Sequence, residues 1–223
     1  QGAIYVQGSS TLNLKNTILG NNSDNINVKK FGTVTSQGNN FDSDGSTGFT
    51  NGVNGDIVGT NANKKDPLLS ALGNYGGLTQ TQALLPGSPA INAGTSSGTP
   101  ASDQRGIARV GTTDIGAFES QGFTLAVNSG NNQSADVNAI FANLLSVTVV
   151  SANNEPVDGG KITFTPPVSG ASAVVAANPA TIAGGTATSG NVTANAIPGG
   201  PYDVGAGATG ATDVHFSLTN NPV

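Results

Sequence analysis

The sequence predicts an all-β protein in two parts, a stack of short parallel strands followed by an antiparallel sandwich. Only 9% of the 223 residues are charged, against about 25% in an average soluble domain, and 32 are glycine. Short apolar runs repeat at a spacing of 22 or 23 residues in the first half, and apolar and polar residues alternate in the second. Coiled coils and charged helical bundles are excluded, because they need faces rich in Lys and Glu.

The charge balance and residue types exclude several classes of function. The net charge of -5 argues against nucleic acid as a partner, because binding to phosphates needs clustered cations. No run approaches the roughly 18 apolar residues of a membrane span. The chain has no cysteine, which excludes disulfides, thiolate zinc sites and a cysteine nucleophile.

The composition changes near residue 120, where we expect a domain boundary. Seven of the eight basic residues precede this point, and only Lys161 follows it. The first part is rich in Asn and Gly, whereas the second is rich in Ala, Val and Thr. We therefore predict domains at residues 1–120 and 123–223, joined by a linker at residues 119–122.

Two segments of the first domain can be overlaid, which predicts a solenoid in which each turn covers the apolar face of the next. Leu12 overlays Val34, Ile18 overlays Phe41, and Ile4 overlays Ile26. Gly-Asn-Asn recurs at residues 20–22 and 38–40, and we expect left-handed backbone at these corners. The predicted short strands are residues 3–6, 11–14, 24–28 and 33–36.

An ordered series of motifs extends from the second overlaid segment to the end of the first domain. The motifs are GNNFDSDG (38–45), GDIVG (55–59), DPLL (66–69), LGNYGGLTQT (72–81), LLPGSPAINAG (84–94), DQRG (103–106) and DIGAFE (114–119). This series resembles the C-terminal region of bacterial right-handed parallel β-helix proteins called choice-of-anchor Q domain proteins. The resemblance implies a short right-handed parallel β-helix on an exported, surface-associated protein.

The second domain has the strand spacing of a β-sandwich. Leu145, Val147 and Val149 share one strand face, as do Ile162 and Phe164. The predicted strands are residues 123–127, 144–150, 161–165, 173–177, 185–188, 192–196, 202–208 and 213–218. With the turns at 153–156 and 158–160, they resemble bacterial immunoglobulin-like repeats, which implies an antiparallel immunoglobulin-like β-sandwich.

One loop has the oxygen spacing of a calcium site. Residues 40–45 (NFDSDG) alternate oxygen-bearing side chains and end in glycine, as calcium loops do. The candidate calcium ligands are Asp42, Asp44 and Asp56, and calcium is the one cofactor the sequence suggests. Asn51 stands where a calcium loop of the EF-hand type has its bidentate Glu. We therefore favour an Asp/Ser turn whose side chains cap backbone amides.

No catalytic site is predicted. Asp114 and Glu119 could form a carboxylate pair for glycoside cleavage, but the chain shows no acidic cluster with aromatic residues on its predicted strands. We expect Asp103, Arg105, Asp114 and Glu119 to form a buried bracing network instead. His215 alternates with core residues and is expected to face solvent, and we expect Tyr202 to anchor a strand corner.

The first predicted strand is the candidate assembly surface. Ala3, Ile4, Tyr5 and Val6 begin the chain in a strand, and an uncapped strand edge is a template for another chain. The sequence therefore predicts an extracellular, non-enzymatic structural protein, either a subunit of a self-assembling surface fibre or the stalk of an adhesin. The expected partners are other copies of itself or further domains of a longer chain, with surface glycans as a further partner. The alternatives are a carbohydrate-binding or carbohydrate-cleaving β-helix and a calcium-dependent adhesin.

Overall fold

The computed structural model describes residues 3–22 and 26–223. Two compact units are present, one formed by residues up to Leu84 together with Ser88–Ser120, and the other by Leu85–Gly87 together with Gln121–Val223. The fold is all-β, as predicted, and the single helical element in the described part is one 3-10 turn at Val53–Gly55. None of the described residues belongs to a helix long and apolar enough to cross a membrane.

The first unit contains short strands that pair in parallel. They are β1 (Ile4–Val6), β2 (Thr11–Leu14), β3 (Ile18–Leu19), β4 (Val28–Lys30), β5 (Thr33–Ser36), β6 (Phe41–Asp42) and β7 (Ile57–Val58). Strand β1 pairs with β4, β2 with β5, and β3 with β6, which in turn pairs with β7. Because paired strands run in the same direction, the chain between them has to return to the end at which the first strand began.

The overlay of the two segments is correct in two of its three strand pairs. Leu12 lies opposite Val34 and Ile18 opposite Phe41. Ile4 lies opposite Val28 and not opposite Ile26, because the connection before β4 is two residues longer than the overlay assumed. Val28 is consequently buried and Ile26 exposed. Part of the predicted strand at 24–28, namely Asp24 and Asn25, lies outside the described residues.

The inside of this strand stack is apolar and its corners are asparagine. Val6, Leu14, Leu19 and Val28 form a buried cluster, and the half-buried side chains of Ile4, Leu12, Val34 and Phe49 pack against it. Asn16, Asn21 and Asn39 turn the chain with positive φ angles of 46°, 57° and 54°. Left-handed backbone at the Gly-Asn-Asn corners is therefore confirmed, because the short Asn side chain tolerates it.

The remainder of the first unit, from residue 59 to 120, consists of turns joined by isolated antiparallel bridges. The bridges join Leu69 to Leu84, Gly73 to Thr81 and Ser102 to Ala108. Its apolar side chains are nevertheless deeply buried, and Leu84, Ile115 and Phe118 are each no more than 2% exposed. Gly59 has no room for a side chain, since a Cβ atom there would overlap the Ser43 carbonyl oxygen.

The second unit contains ten strands in the described residues. They are β8 (Thr124–Ser129), β9 (Gln133–Asp136), β10 (Ser146–Val150), β11 (Lys161–Thr165), β12 (Ala173–Val175), β13 (Ala180–Thr181), β14 (Thr186–Thr188), β15 (Val192–Ala194), β16 (Gly199–Gly207) and β17 (Val214–Asn221). They form sheets of strand order β14-β10-β8, β13-β11-β16-β17-β9 and β12-β15. The predicted positions of eight strands are matched to within a few residues, whereas β9 and β13 were not predicted.

The prediction of a purely antiparallel arrangement is wrong at one edge. Strand β9 pairs in parallel with β17, with Gln133 opposite Leu218 and Asp136 opposite Asn221. Strand β9 has the sequence QSAD, and its polar residues carry no apolar alternation by which it could be recognised. All other pairs between strands of this unit are antiparallel in the described residues.

The core of the second unit follows the predicted alternation. Leu145, Val147 and Val149 are at most 1% exposed, as are Ile162 and Phe164. The ring of Phe164 lies 6.1 Å from that of Phe216, measured between centroids. The shared strand faces are therefore confirmed, and the two rings mark the centre of the packed interior.

We predict that Phe164→Ala lowers the free energy of unfolding of the second unit by about 3–5 kcal/mol, because it removes buried apolar area and leaves a cavity. Urea unfolding followed by circular dichroism measures this change. Val168→Ala is the control, since Val168 is fully exposed and its truncation should change stability by less than about 0.5 kcal/mol. Equal effects of the two substitutions would contradict the assigned core.

Candidate functional site

Strands β1, β2 and β3 share one edge on which the backbone has no strand partner. In β1, the amide of Ile4 and the carbonyl of Val6 bond to residues Asn27 and Phe31. Successive residues of a strand direct their backbone groups to opposite edges, so Tyr5, between Ile4 and Val6, directs its amide and carbonyl away from β4. No described strand pairs with β1 on that side.

The same pattern holds in the two strands that follow. The carbonyls of Ser10 and Leu14 accept from β5 and its neighbouring residue Gln37, which leaves Thr11 and Asn13 facing outward. The carbonyls of Thr17 and Leu19 accept from Phe41 and Ser43, which leaves Ile18 facing outward. We call the outward backbone groups of Tyr5, Thr11, Asn13 and Ile18 the free edge.

The predicted assembly residues 3–6 divide into two roles. Ala3 is exposed and precedes the strand, which begins at Ile4. Val6 belongs to the buried apolar cluster, and Ile4 packs against it. Tyr5 is 58% exposed and stands on the free edge. Tyr5 therefore offers both its side chain and the backbone groups of the free edge to another molecule.

Side chains cap the opposite edge of the stack. Oδ2 of Asp44 accepts from the amide of Asn27 at 2.8 Å, and Oγ of Ser46 accepts from the amide of Val28 at 2.8 Å. Oδ1 of Asn51 accepts from the amide of Val58 at 2.9 Å. The amides of Val28 and Val58 face away from the strands that precede them in the stack, so Ser46 and Asn51 occupy positions at which a further strand would bind.

The candidate calcium ligands belong to this capping network. The carboxylates of Asp42 and Asp44 both accept from the side-chain amide of Asn27, at 2.7 and 3.0 Å. Asp42 also accepts from Thr47, and Asp56 accepts from the backbone and side chain of Asn40. Within residues 3–22 and 26–223, no group of three or more His, Cys, Asp or Glu side chains could hold a metal ion. Calcium binding at Asp42, Asp44 and Asp56 stays a prediction.

The protonation of Asp44 reflects the same contacts. Burial alone would raise the pKa of Asp44, but hydrogen bonds donated by Ser46 and Asn27 help to outweigh it and hold the pKa below its usual value of 3.8. The carboxylate therefore stays ionised at neutral pH, which is the state that accepts hydrogen bonds through both oxygens.

The structure also joins the carboxylates considered for catalysis. Arg105 pairs with Asp103 at 2.8 Å, and Arg109 pairs with Glu119 at 2.7 Å. The amide of Asp114 donates to Oε2 of Glu119 at 3.0 Å. The three acidic side chains are at most 6% exposed, so they brace the turns and offer no surface to a saccharide.

Asp114 has an unusual pKa within this network. Burial is the main cause and raises the pKa to about 7, aided by the negative charge of Glu119. Hydrogen bonds from the amides of Asn92 and Ser120, together with Arg109, oppose the shift. The folded state therefore holds a proton on Asp114 to higher pH than the unfolded chain does.

Two further predicted residues lie in the second unit. His215 is exposed between the side chains of Val214 and the buried Phe216, as expected. The hydroxyl of Tyr202 donates to Oδ1 of Asn220 at 2.9 Å, and burial raises the pKa of Tyr202 to about 12.

An open cavity of about 550 Å³ lies beside β3, and nothing in the sequence predicted it. One side of the cavity is lined by Asn16, Thr17, Ile18 and Gly20. The remaining lining residues come from sequence positions 69–84 and 104–118, which are distant from β3 along the chain; they include Leu72, Thr81 and Phe118. No ionisable side chain lines the cavity. The Oγ1 atom of Thr81 is buried and lacks a hydrogen-bond partner.

A pair of exposed aromatic residues lies next to the free edge. The rings of Tyr5 and Phe31 are 5.4 Å apart, and Nζ of Lys29 lies 5.8 Å from the centre of the Phe31 ring. Phe31 is 62% exposed. In the described part of the chain no other aromatic side chain is this exposed.

Comparison with known proteins leaves this site without a precedent. No protein-family model, no curated protein and no solved structure matches the chain. The free edge, the capping side chains and the cavity therefore have to be interpreted from their own chemistry.

We predict that Asp44→Ala destabilises the first unit by about 1–3 kcal/mol, because the buried amide of Asn27 loses its acceptor. Urea unfolding measures the change. Asp66→Ala is the matched control, since Asp66 accepts only from Leu68 in an exposed turn and should cost less. If EDTA lowered the melting temperature of the wild-type chain as much as Asp44→Ala does, calcium and not capping would be the role of these carboxylates.

We predict that the stability of the first unit falls as the pH rises from about 4 to about 7. In this range the unfolded chain has lost the Asp114 proton and the folded chain still holds it, so folding takes up a proton and is disfavoured by rising pH. The loss is complete above the folded pKa of about 7. Asp44 acts only below its usual pKa of 3.8, in the opposite sense.

The test compares urea midpoints at pH 4.5 and 7.5 in the wild type and in Asp114→Asn. The variant should lose this part of the pH dependence whatever its absolute stability. An unchanged slope would show that another group titrates in this range.

Proposed function

We propose that the chain is an extracellular structural protein, a subunit of a self-assembling surface fibre or the stalk of an adhesin, which joins other molecules through its free edge. The observation that carries this proposal is the difference between the two edges of the strand stack. Two outward amides on one edge, those of Val28 and Val58, have side-chain acceptors in Ser46 and Asn51, whereas those of the free edge have none among the described residues.

A free edge is a template for strand addition. Natural sheets protect exposed edges with charged side chains, proline or bulges. The free edge has none of these protections, since β1, β2 and β3 contain neither proline nor a charged residue. Its accessible backbone groups are those of residues that carry Tyr, Thr, Asn and Ile side chains. Pairing with a further strand would satisfy these groups and extend the parallel stack.

For the architecture, we propose a short right-handed parallel β-helix followed by an immunoglobulin-like sandwich. Parallel pairs offset by 24, 22 and 23 residues (Ile4 to Val28, Leu12 to Val34, Ile18 to Phe41) support the first part. Each pair is one strand of a turn stacked on the next. The buried alternation of β10 and β11 supports the second part. The resemblance to choice-of-anchor Q domain proteins stays part of this proposal.

Composition supports a location outside the cell. A chain with 9% charged residues and no cysteine stabilises itself through stacked backbone hydrogen bonds, which need neither disulfides nor charge networks. We propose that the protein is not an enzyme, since the acidic side chains that could cleave glycosides are buried in ion pairs and hydrogen bonds.

Glycan binding is a second candidate function, and the Tyr5–Phe31 pair favours it. Exposed aromatic faces stack on the apolar faces of sugar rings, and a large exposed aromatic patch marks an interaction site more often than a random surface. Tyr5→Ala together with Phe31→Ala would then abolish retention on a glycan array. Such a loss with self-association unchanged would separate this function from assembly.

We predict that the wild-type chain self-associates and that Asn13→Pro weakens this association at least tenfold. Proline removes the outward amide of the free edge, while the β2–β5 bonds, which use Leu12 and Leu14, remain. Sedimentation equilibrium over a range of protein concentrations measures the dissociation constant.

Asn13→Ala is the control, because it removes the same side chain and keeps the amide. Similar association of the proline and alanine variants would argue against strand pairing at this edge. A wild-type chain that is monomeric at every concentration would contradict the fibre subunit and leave the stalk of an adhesin.

A further inference from the structure

We propose that the cavity beside β3 is a socket for an apolar side chain on a β-strand of a second copy, which pairs with the free edge at Ile18. This inference rests on the proposed function, and it names the strand and the side chain through which a second copy would bind at the free edge. The incoming strand is uncharged, and we infer that it is β12, with Val174 as the inserted side chain.

The hydrogen-bonding groups of Ile18 favour a strand as the occupant. The carbonyls of Thr17 and Leu19 are used by Phe41 and Ser43, so the amide and carbonyl of Ile18 face the other way. Both a donor and an acceptor are presented on one residue of an extended segment. A neighbouring strand satisfies both at once, because it offers an acceptor and a donor at matching spacing.

The position of the cavity follows from the row of side chains across the sheet β3-β6-β7. Ile18, Phe41 and Ile57 lie opposite one another in successive strands. Ile18 lines the cavity, but no residue of β6 does, although Phe41 is its neighbour in the row. The cavity therefore lies on the free side of Ile18, at the place where a strand added to the sheet would direct its own side chain.

The lining of the cavity selects the side chain that enters. Leu84, Ile115 and Phe118, all buried, form apolar walls, and the amides of Gln80 and Gln82 lie among the polar lining residues. Because no charged side chain lines the cavity, an ion entering it would lose water without gaining a partner. An apolar side chain on an uncharged strand avoids this cost.

Strand β12 in the second unit of another copy has these properties. Its sequence, AVV, is uncharged, and β15 is the one described strand that pairs with it. Val174 is 68% exposed, more than any other large apolar side chain in a described strand. A contact between β3 of one copy and β12 of the next joins two different surfaces, and such contacts generate open filaments when the rotation does not close.

The test uses two pairs of aspartate substitutions in the full chain. Leu72→Asp places a charge in the cavity lining, whereas Leu78→Asp places one on a fully exposed leucine outside it. Val174→Asp charges the inserted side chain, whereas Val168→Asp charges a fully exposed valine outside any strand. All four side chains are well exposed, so the subunit fold should be retained, and urea midpoints check this.

We expect Leu72→Asp and Val174→Asp each to raise the dissociation constant for self-association at least tenfold, and the two controls to change it less than twofold. Leu72→Lys combined with Val174→Asp should restore part of the loss through the new ion pair. A peptide copying residues 171–177 should compete with assembly of the wild type and should fail against Leu72→Asp.

The outcomes separate this inference from the proposed function. Association of the wild type with no effect of Leu72→Asp would overturn the socket and leave assembly through the free edge in place. An effect of Leu72→Asp without one of Val174→Asp would overturn β12 as the incoming strand. A monomeric wild type to which the peptide does not bind would overturn both the socket and the fibre subunit.

Discussion

The structure depends on how its strands satisfy backbone hydrogen bonds at the two edges of the parallel stack. Pairing on one side of a strand satisfies the backbone groups of every second residue, and the groups of the residues between them have to be met by a further strand, a side chain or water. At the edge of β4, β5 and β7, side chains of the turns after β6 accept two outward amides, those of Val28 and Val58. At the edge of β1, β2 and β3, the outward groups are free among the described residues.

This difference explains why oxygen-bearing residues are concentrated after β6. Asp42, Asp44, Ser46, Thr47 and Asn51 all act within a few residues of one another, as acceptors for backbone amides or as partners of those acceptors. The lowered pKa of Asp44 and the raised pKa of Asp114 show two different uses of a buried carboxyl group. Asp44 is ionised because its hydrogen bonds outweigh burial, whereas burial dominates at Asp114.

Much of the fold could be predicted from the sequence, because its local patterns reflect local physics. Alternating residues in β10 and β11 identified the buried face, and the Gly-Asn-Asn corners identified left-handed backbone. The overlay failed at Ile4 because the length of one connection cannot be read from apolar spacing alone. Strand β9 was missed because a polar strand at a sheet edge carries no such pattern.

The site was less accessible to prediction, for two physical reasons. Asp and Ser oxygens at alternating positions bind a cation or cap amides equally well, so the pattern at 40–45 could not separate calcium from capping. The cavity beside β3 is lined by residues from three stretches, 16–20, 69–84 and 104–118, which only the folded chain brings together. The hydroxyl of Thr81 lacks a hydrogen-bond partner in the folded chain. The sequence could not predict this, because the partners of a buried hydroxyl depend on residues that are distant along the chain.

The most direct test of assembly through the free edge is electron microscopy of the purified chain at low protein concentration. The account predicts regular filaments with an axial repeat close to the length of one two-unit subunit. Monodisperse single particles would contradict it, and the free edge would then have to be explained by another partner.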